Sequence, residues 1–349
     1  MMNPVFDADI NDAMAWTSAS IGGKAGLEYR LGDAERSELQ ALLASTDASA
    51  PTAVRRDAFT APAIERFMAN VRNEIMHGKG AVIISGLDTN ALDLETFQRI
   101  YWGLGTHLGT GAPQSYRNDL IGFVQKEEHN PTGRGYLMDI ELGSHADFHE
   151  ILSLAGWQRA ERGGVSGLVS ALAIHNIMRE EHPEHLTALY EGYYHSGRPQ
   201  QPVTSDKIPC YANVNGTVSC FYHPMLPMVA ARQRGEELPA PLKAAMGCFA
   251  AISRRPDVRA EFMLERGEMM FWHNFVVLHS RTAFEDSPAH KRLLLRLWID
   301  VADGRAMPAS FTEQARLMNI AHARGETGLD YGDLFTPAAG ATASEVARQ

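Results

Sequence analysis

Apolar, strand-like runs stand at both ends of the central region of this chain, and helical patterns lie between them. Ala81 to Ile84, bounded by Gly80 and Gly86, reads as a buried strand, and Leu120 to Gln125, Ile151 to Leu154 and Gly167 to Leu172 read similarly. The strand pattern returns at Met269 to Phe271, Phe275 to Leu278 and Leu293 to Val301. Between these groups, Ala173 to Tyr190 and Pro241 to Ser253 carry helical spacing, with Pro183 implying a break in the first. Pro202 to Tyr222 alternates around Asn215-Gly216, a common hairpin dipeptide. Grouped strands of this kind fit an antiparallel barrel or sandwich with helical insertions better than an alternating parallel sheet, so the expected fold is mainly β.

The first 59 residues read as a small module packed on that core: a strand over Leu27 to Leu31 and a helix from Asp33 to Leu43. A second helix is expected from Thr60, as its cap, to Met76, with Pro62 in its first turn. Asp93 opens a third, carrying Phe97, Ile100, Tyr101 and Leu104. The main domain then spans 60–320, and 321–349, rich in Ala, Gly, Thr and Ser towards its end, reads as a tail.

The bulk numbers exclude several partners. A net charge of -10 gives no electrostatic footprint for nucleic acid or an acidic membrane. No window supplies ~18 uninterrupted apolar residues, and the amino terminus lacks the pattern of a signal peptide. The three cysteines, Cys210, Cys220 and Cys248, form no CxxC pair, which points to reduced thiols in a cytoplasmic protein. A small-molecule substrate is therefore the expected partner; oligomeric state is not legible.

The chemistry centres on His145-Ala146-Asp147. On an extended strand, positions i and i+2 point to one face, so the imidazole and the carboxylate could grip one metal ion together. His279, at the end of the apolar run Phe275 to Leu278, offers a third ligand. Two imidazoles and one carboxylate on a single face of an iron leave the opposite face open for a bidentate co-substrate and dioxygen. A zinc hydrolase with His149 as a fourth ligand, or a non-catalytic binding protein of the same shape, would use the same residues differently.

An ordered set surrounds these ligands: Gly163-Gly164-Val165-Ser166, then Gly267-Glu268-Met269-Met270-Phe271, then His279-Ser280-Arg281-Thr282-Ala283-Phe284, then Arg292-x-x-x-Arg296-Leu297-Trp298. With it the chain resembles the iron(II)- and 2-oxoglutarate-dependent dioxygenases of the taurine dioxygenase type, the TauD/TfdA superfamily, from about Thr60 to Pro308. The resemblance implies a double-stranded β-helix, or jelly-roll, cupin-like core. It also implies iron at His145, Asp147 and His279, and a clamp on the far carboxylate of 2-oxoglutarate by Arg292 with the hydroxyl of Ser166. A guanidinium suits that role because its planar fork matches a carboxylate, which Lys291 cannot do. Serine stands where the family often has threonine, and Glu268 where it commonly has aspartate. The implied reaction couples oxidative decarboxylation of 2-oxoglutarate to hydroxylation of a small polar or anionic metabolite. Halogenation is not expected, because halogenating relatives replace the carboxylate at the Asp147 position. Arg296, Tyr222, Asn274 and His149 are the expected substrate-side residues, whereas His175, His182 and His185 are expected to be solvated.

Overall fold

A computed structural model describes residues 3–46, 50–90, 92–114, 119–128, 135–196 and 203–311 of the chain. The expected tail, 321–349, lies outside the described residues. The strands, in chain order, are β1 (Glu28–Arg30), β2 (Ala81–Ser85), β3 (Thr110–Ala112), β4 (Gly122–Val124), β5 (Leu142–His145), β6 (Ile151–Gln158), β7 (Arg162–Gly163) and β8 (Ser166–Ser170). They continue with β9 (Tyr211–Val214), β10 (Thr217–Cys220), β11 (Ala260–Phe262), β12 (Met269–His273), β13 (Val277–Arg281), β14 (Phe284–Glu285) and β15 (Leu293–Asp300). The α-helices are α1 (Ser18–Ile21), α2 (Asp33–Thr46), α3 (Pro62–His77), α4 (Leu94–Gly105), α5 (Ala171–Glu181), α6 (Leu186–Glu191), α7 (Met225–Arg234) and α8 (Ala240–Ile252).

Seven strands form one sheet in the order β1-β2-β12-β6-β15-β3, with β4 also pairing β15. Four more form a second sheet in the order β11-β8-β13-β5. Apart from the parallel pair β1 and β2, the ladders of both sheets are antiparallel. The large sheet is apolar on both faces, and the period of two decides which neighbour each side chain meets. Val82, Ile84, Met269, Phe271, Ile151, Leu295, Leu297 and Ile299 pack with α3 and α4 residues such as Ile64, Val71, Phe97 and Tyr101. Ile83, Met270, Trp272, Leu152, Leu294 and Trp298 face the other way, into one cluster with Leu168 of the small sheet. Arg296 falls on this inner face by alternation, as a buried cation between Leu294 and Trp298.

Local chemistry accounts for most boundaries. Asp93 caps α4 by accepting from Thr96 N. Asn215 and Gly216 both take positive φ, 54° and 87°, as the tight turn between β9 and β10 requires. Pro183 separates α5 from α6. Two expectations change. The cap of α3 is not Thr60: its N-cap residue is Ala61, and the Glu38 carboxylate of α2 accepts from the amides of Ala63 and Ile64 at 2.7 and 3.0 Å. His175 is not solvated but fully buried, with Nε2 hydrogen-bonded to the Tyr190 hydroxyl at 2.9 Å. Burial lowers its pKa from 6.5 to about 4. Among the described residues no helix is long and apolar enough to cross a membrane, and all three cysteines are free.

Candidate metal and co-substrate site

The small sheet brings the two distant imidazoles together. His145 ends β5, His279 lies on β13, and the two are directly opposed in the antiparallel register. Opposed residues share a face, and their ring centroids are 4.1 Å apart. Asp147 arrives differently from the same-strand geometry expected, because β5 stops at His145 and Asp147 lies just beyond its end. Asn274 fixes it there. Its Oδ1 accepts from Asp147 N at 3.1 Å, and its Nδ2 donates to the carbonyls of Asp147 and His149 at 2.7 and 3.0 Å. The Tyr222 carbonyl accepts from Ala146 N at 2.8 Å and holds the intervening residue. As a result one ligand atom each from His145, Asp147 and His279 lies within 4.8 Å of the others.

The charge states suit a cation. His145 Nδ1 donates to the Gly143 carbonyl at 2.8 Å, which leaves Nε2 as the free lone pair. Burial, followed by the neighbouring His145, drives the His279 pKa well below 6.5, so this ring is neutral at pH 7. Burial alone would raise the Asp147 carboxyl, but His279, Arg296 and His145 outweigh it and bring the pKa down to about 2. With His279 neutral near pH 7, the lasting cation is Arg296, whose Nη1 lies 3.9 Å from Asp147 Oδ2. The Trp298 indole donates to the same oxygen at 3.2 Å. Two imidazoles and an ionised carboxylate are the donor set that a divalent iron takes with positions left open. His149, the fourth zinc ligand contemplated for a hydrolase, is not among the ligand atoms that converge; its Nδ1 donates to Asp300 Oδ1 at 2.7 Å and its ring stacks on Trp298.

A second polar centre is built around Arg292. Arg292 is 3% exposed, while Lys291 beside it is on the surface. Its guanidinium sits over the Phe284 ring at 5.2 Å, its backbone amide donates to Asp286 Oδ1, and Nη1 has no hydrogen-bond partner among the described residues. Burial, then the neighbouring Arg281, lowers its pKa to about 9, still charged at neutral pH. Gly164 makes room for it. A Cβ there would come within 2.9 Å of Arg292 Nε, and the residue has φ of 70°. Ser166, at the start of β8, is 2% exposed.

The remaining expected residues divide. Arg296 lies against the rings of Tyr136 and Trp298 at 4.4 and 4.6 Å, and its Nε donates to the Gln114 amide oxygen Oε1 at 2.7 Å. Tyr222 stacks on Phe249 and, with His223, lines a small cavity shared with Tyr193, Phe221 and Met246. The His223 ring meets that of His145 edge-on at 5.6 Å. Asn274 is fully buried and bonded to the backbone of 147–149, so it braces the segment that carries Asp147. Sequence reasoning missed the roles of Trp298 and Gln114 around Asp147 and Arg296. Only the spacing Arg296-x-Trp298, which puts both side chains on one strand face, could have signalled the first.

Comparison with known proteins agrees with this geometry. Residues 48–298 match the family described as "Taurine catabolism dioxygenase TauD, TfdA family". The chain is 29% identical over 324 residues to FR-33289 synthase of Streptomyces rubellomurinus, covering 87% of this chain and 91% of that protein. Its fold is shared with an asparagine oxygenase solved with Fe(II), 2S,3S-3-hydroxyasparagine and succinate, at a TM-score of 0.64 and 15% identity over 81% of this chain and 99% of that one. It is also shared with the non-heme iron oxygenase OrfP solved with Fe and alpha-ketoglutaric acid, at a TM-score of 0.55 and 14% identity over 78% and 94%.

Proposed function

The chain belongs to the TauD, TfdA dioxygenase family, and from that premise we propose that His145, Asp147 and His279 hold Fe(II) while Arg292 and Ser166 hold 2-oxoglutarate by its far carboxylate. The two facing sheets are then the walls of a jelly roll whose main domain runs over 60–320, with the first 59 residues packed on it. The enzyme is a non-haem dioxygenase that converts 2-oxoglutarate and dioxygen to succinate and carbon dioxide while hydroxylating a C–H bond of a small metabolite. One oxygen atom goes to succinate and the other to the product.

Iron held by His145, Asp147 and His279 would supply the redox chemistry between the 2-oxo acid and dioxygen. The chain supplies position and polarity. Asn274 holds the Asp147 loop in place, and Arg296 with Trp298 keeps the carboxylate ionised and oriented. Arg292 offers a desolvated fork to the co-substrate, where charge-assisted hydrogen bonds are strongest. On the substrate side, Arg296, His149 and Tyr222 favour a small polar or anionic compound; the hydroxylated amino acid bound by the asparagine oxygenase is of that kind.

The observation that carries this reading is the convergence of the three ligand atoms within 4.8 Å in the same molecule as a buried guanidinium with an unfilled N–H. Anaerobic addition of Fe(II) and 2-oxoglutarate should give a broad visible charge-transfer band that Asp147→Ala or His279→Ala weakens. Succinate release screened across a metabolite library, with product masses, then identifies the substrate. No band in the intact protein, and turnover without dioxygen, would refute the proposal.

A further inference from the structure

Arg281 is a second buried guanidinium that the proposed reaction has not yet used. It is 6% exposed and lies on β13 two residues beyond the metal ligand His279. Its Nη2 donates to the carbonyls of Met138 and Ile140 at 2.8 and 2.6 Å, while Nε and Nη1 have no partner among the described residues. The Phe284 ring carries both cations, with Arg281 at 4.8 Å and Arg292 at 5.2 Å. Two buried guanidiniums that share one ring and keep unfilled donors among the described residues are costly unless an anion offsets their charge.

Register says where that anion would lie. β13 pairs with β8 without a break, setting His279 opposite Leu168 and Arg281 opposite Ser166. Opposed residues share a face, as do residues two apart on a strand. His145, His279, Arg281 and Ser166 therefore stand on one face of the small sheet. The step from His279 to Arg281 is about 7 Å along an antiparallel strand, the span of a five-carbon diacid from its chelating end to its far carboxylate. An ionised carboxylate has about four lone-pair sites, enough for donors from two guanidiniums and a hydroxyl.

We propose that Arg281 is a further positioning residue of the co-substrate site: with Arg292 and Ser166 it receives the far carboxylate and selects 2-oxo acids that carry one. The inference rests on the reading of Arg292 and Ser166 as the clamp. The alternative is that Arg281 only ties the 138–140 segment in place, and the test separates the two.

Anaerobic Fe(II) protein is titrated with 2-oxoglutarate and with 2-oxopentanoate, which keeps the chelating end but has a methyl group in place of the far carboxylate. Wild type should prefer 2-oxoglutarate strongly. Arg281→Gln should lose tenfold or more of that preference, through weaker 2-oxoglutarate binding, with 2-oxopentanoate binding within about twofold of wild type. Arg281→Lys, which keeps the charge and a donor for the Met138 and Ile140 carbonyls, should fall between, with Fe(II) affinity unchanged as the check on folding. Equal weakening of both ligands in the Arg281 variants would overturn the inference. If Arg292→Gln erases the preference and Arg281→Gln leaves it intact, the clamp reading stands and the inference falls. If wild type binds both ligands alike, the clamp reading fails and takes the inference with it.

Discussion

Gly164→Ala adds one methyl group at the point where the chain passes closest to Arg292, and its effects divide into two measurable parts. The residue has φ of 70°, a left-handed conformation that costs an L residue with a Cβ about 1–2 kcal/mol. That part lowers stability alone. The new Cβ would also lie 2.9 Å from Arg292 Nε and 3.1 Å from its Cδ, with Phe284 Cβ at 3.5 Å. The arginine is the softer neighbour, so the fork moves. A hydrogen bond to a charged group is worth about 1.5–3 kcal/mol, and each ~1.4 kcal/mol is tenfold in affinity. Misaligning one of two parallel bonds should therefore weaken 2-oxoglutarate about 10- to 100-fold while leaving Fe(II) binding unchanged. Gly216→Ala is the matched control: φ is 87° and a Cβ there meets nothing within 4 Å, so the backbone cost appears without the clamp effect. Urea unfolding reads the first part and anaerobic titration the second. Equal loss of stability in both variants with unchanged 2-oxoglutarate affinity in Gly164→Ala would refute the placement of the clamp at Arg292.

Asn274→Ala removes three hydrogen bonds, one buried and two part-buried, to the backbone of 147–149, so we expect a loss of about 3 kcal/mol in denaturant unfolding and Fe(II) affinity lower by about tenfold or more, by metal titration. Stability should also depend on pH through His175, whose folded pKa of about 4 lies below the ordinary 6.5. The unfolded chain then takes up a proton first as pH falls, so the stabilisation is full above about 6.5 and is lost on the way down to about 4, with about 2 kcal/mol of it gone by pH 5. His175→Gln lacks this component, and a wild-type minus variant difference that stays constant from pH 7 to 5 would contradict it.

Local signals carried the fold where the interaction itself was local. Asn215-Gly216, Asp93 and Pro183 act on their own neighbours, so their turn, cap and break can be read along the chain. The cap of α3 could not be, because its acceptor, Glu38, comes from another helix. Thr60, the local candidate, bonds Glu65 Oε1 instead. α7 escaped notice because Pro227 sits in its first turns and weakens any helical pattern. His175 is different: its burial was legible, since it follows Ala171 by four and precedes Met178 by three, both buried on the same helix. Reading the helix by its composition rather than its period hid this.

The site shows why residue identity and geometry separate. His145, Asp147 and His279 stand out by type and order, yet the reason first given for the pair was incomplete. Asp147 owes its position to the Asn274 amide, 127 residues away in sequence. The same holds for the polar groups behind them. Trp298 reaches Asp147 across 151 residues, and Gln114 reaches Arg296 across 182. What sets all of them at once is register. A one-residue slip of β13 against β8 would turn His279 and Arg281 together to the opposite face and leave His145 and Ser166 without partners. Metal ligand and candidate clamp are thus bound to one structural variable, and apolar packing fixes it: Val277 and Leu278 are fully buried on β13, as are Leu168 and Val169 on β8. No single strand carries that information, which is why the sequence could name the ligands but not the face on which Arg281 stands with them.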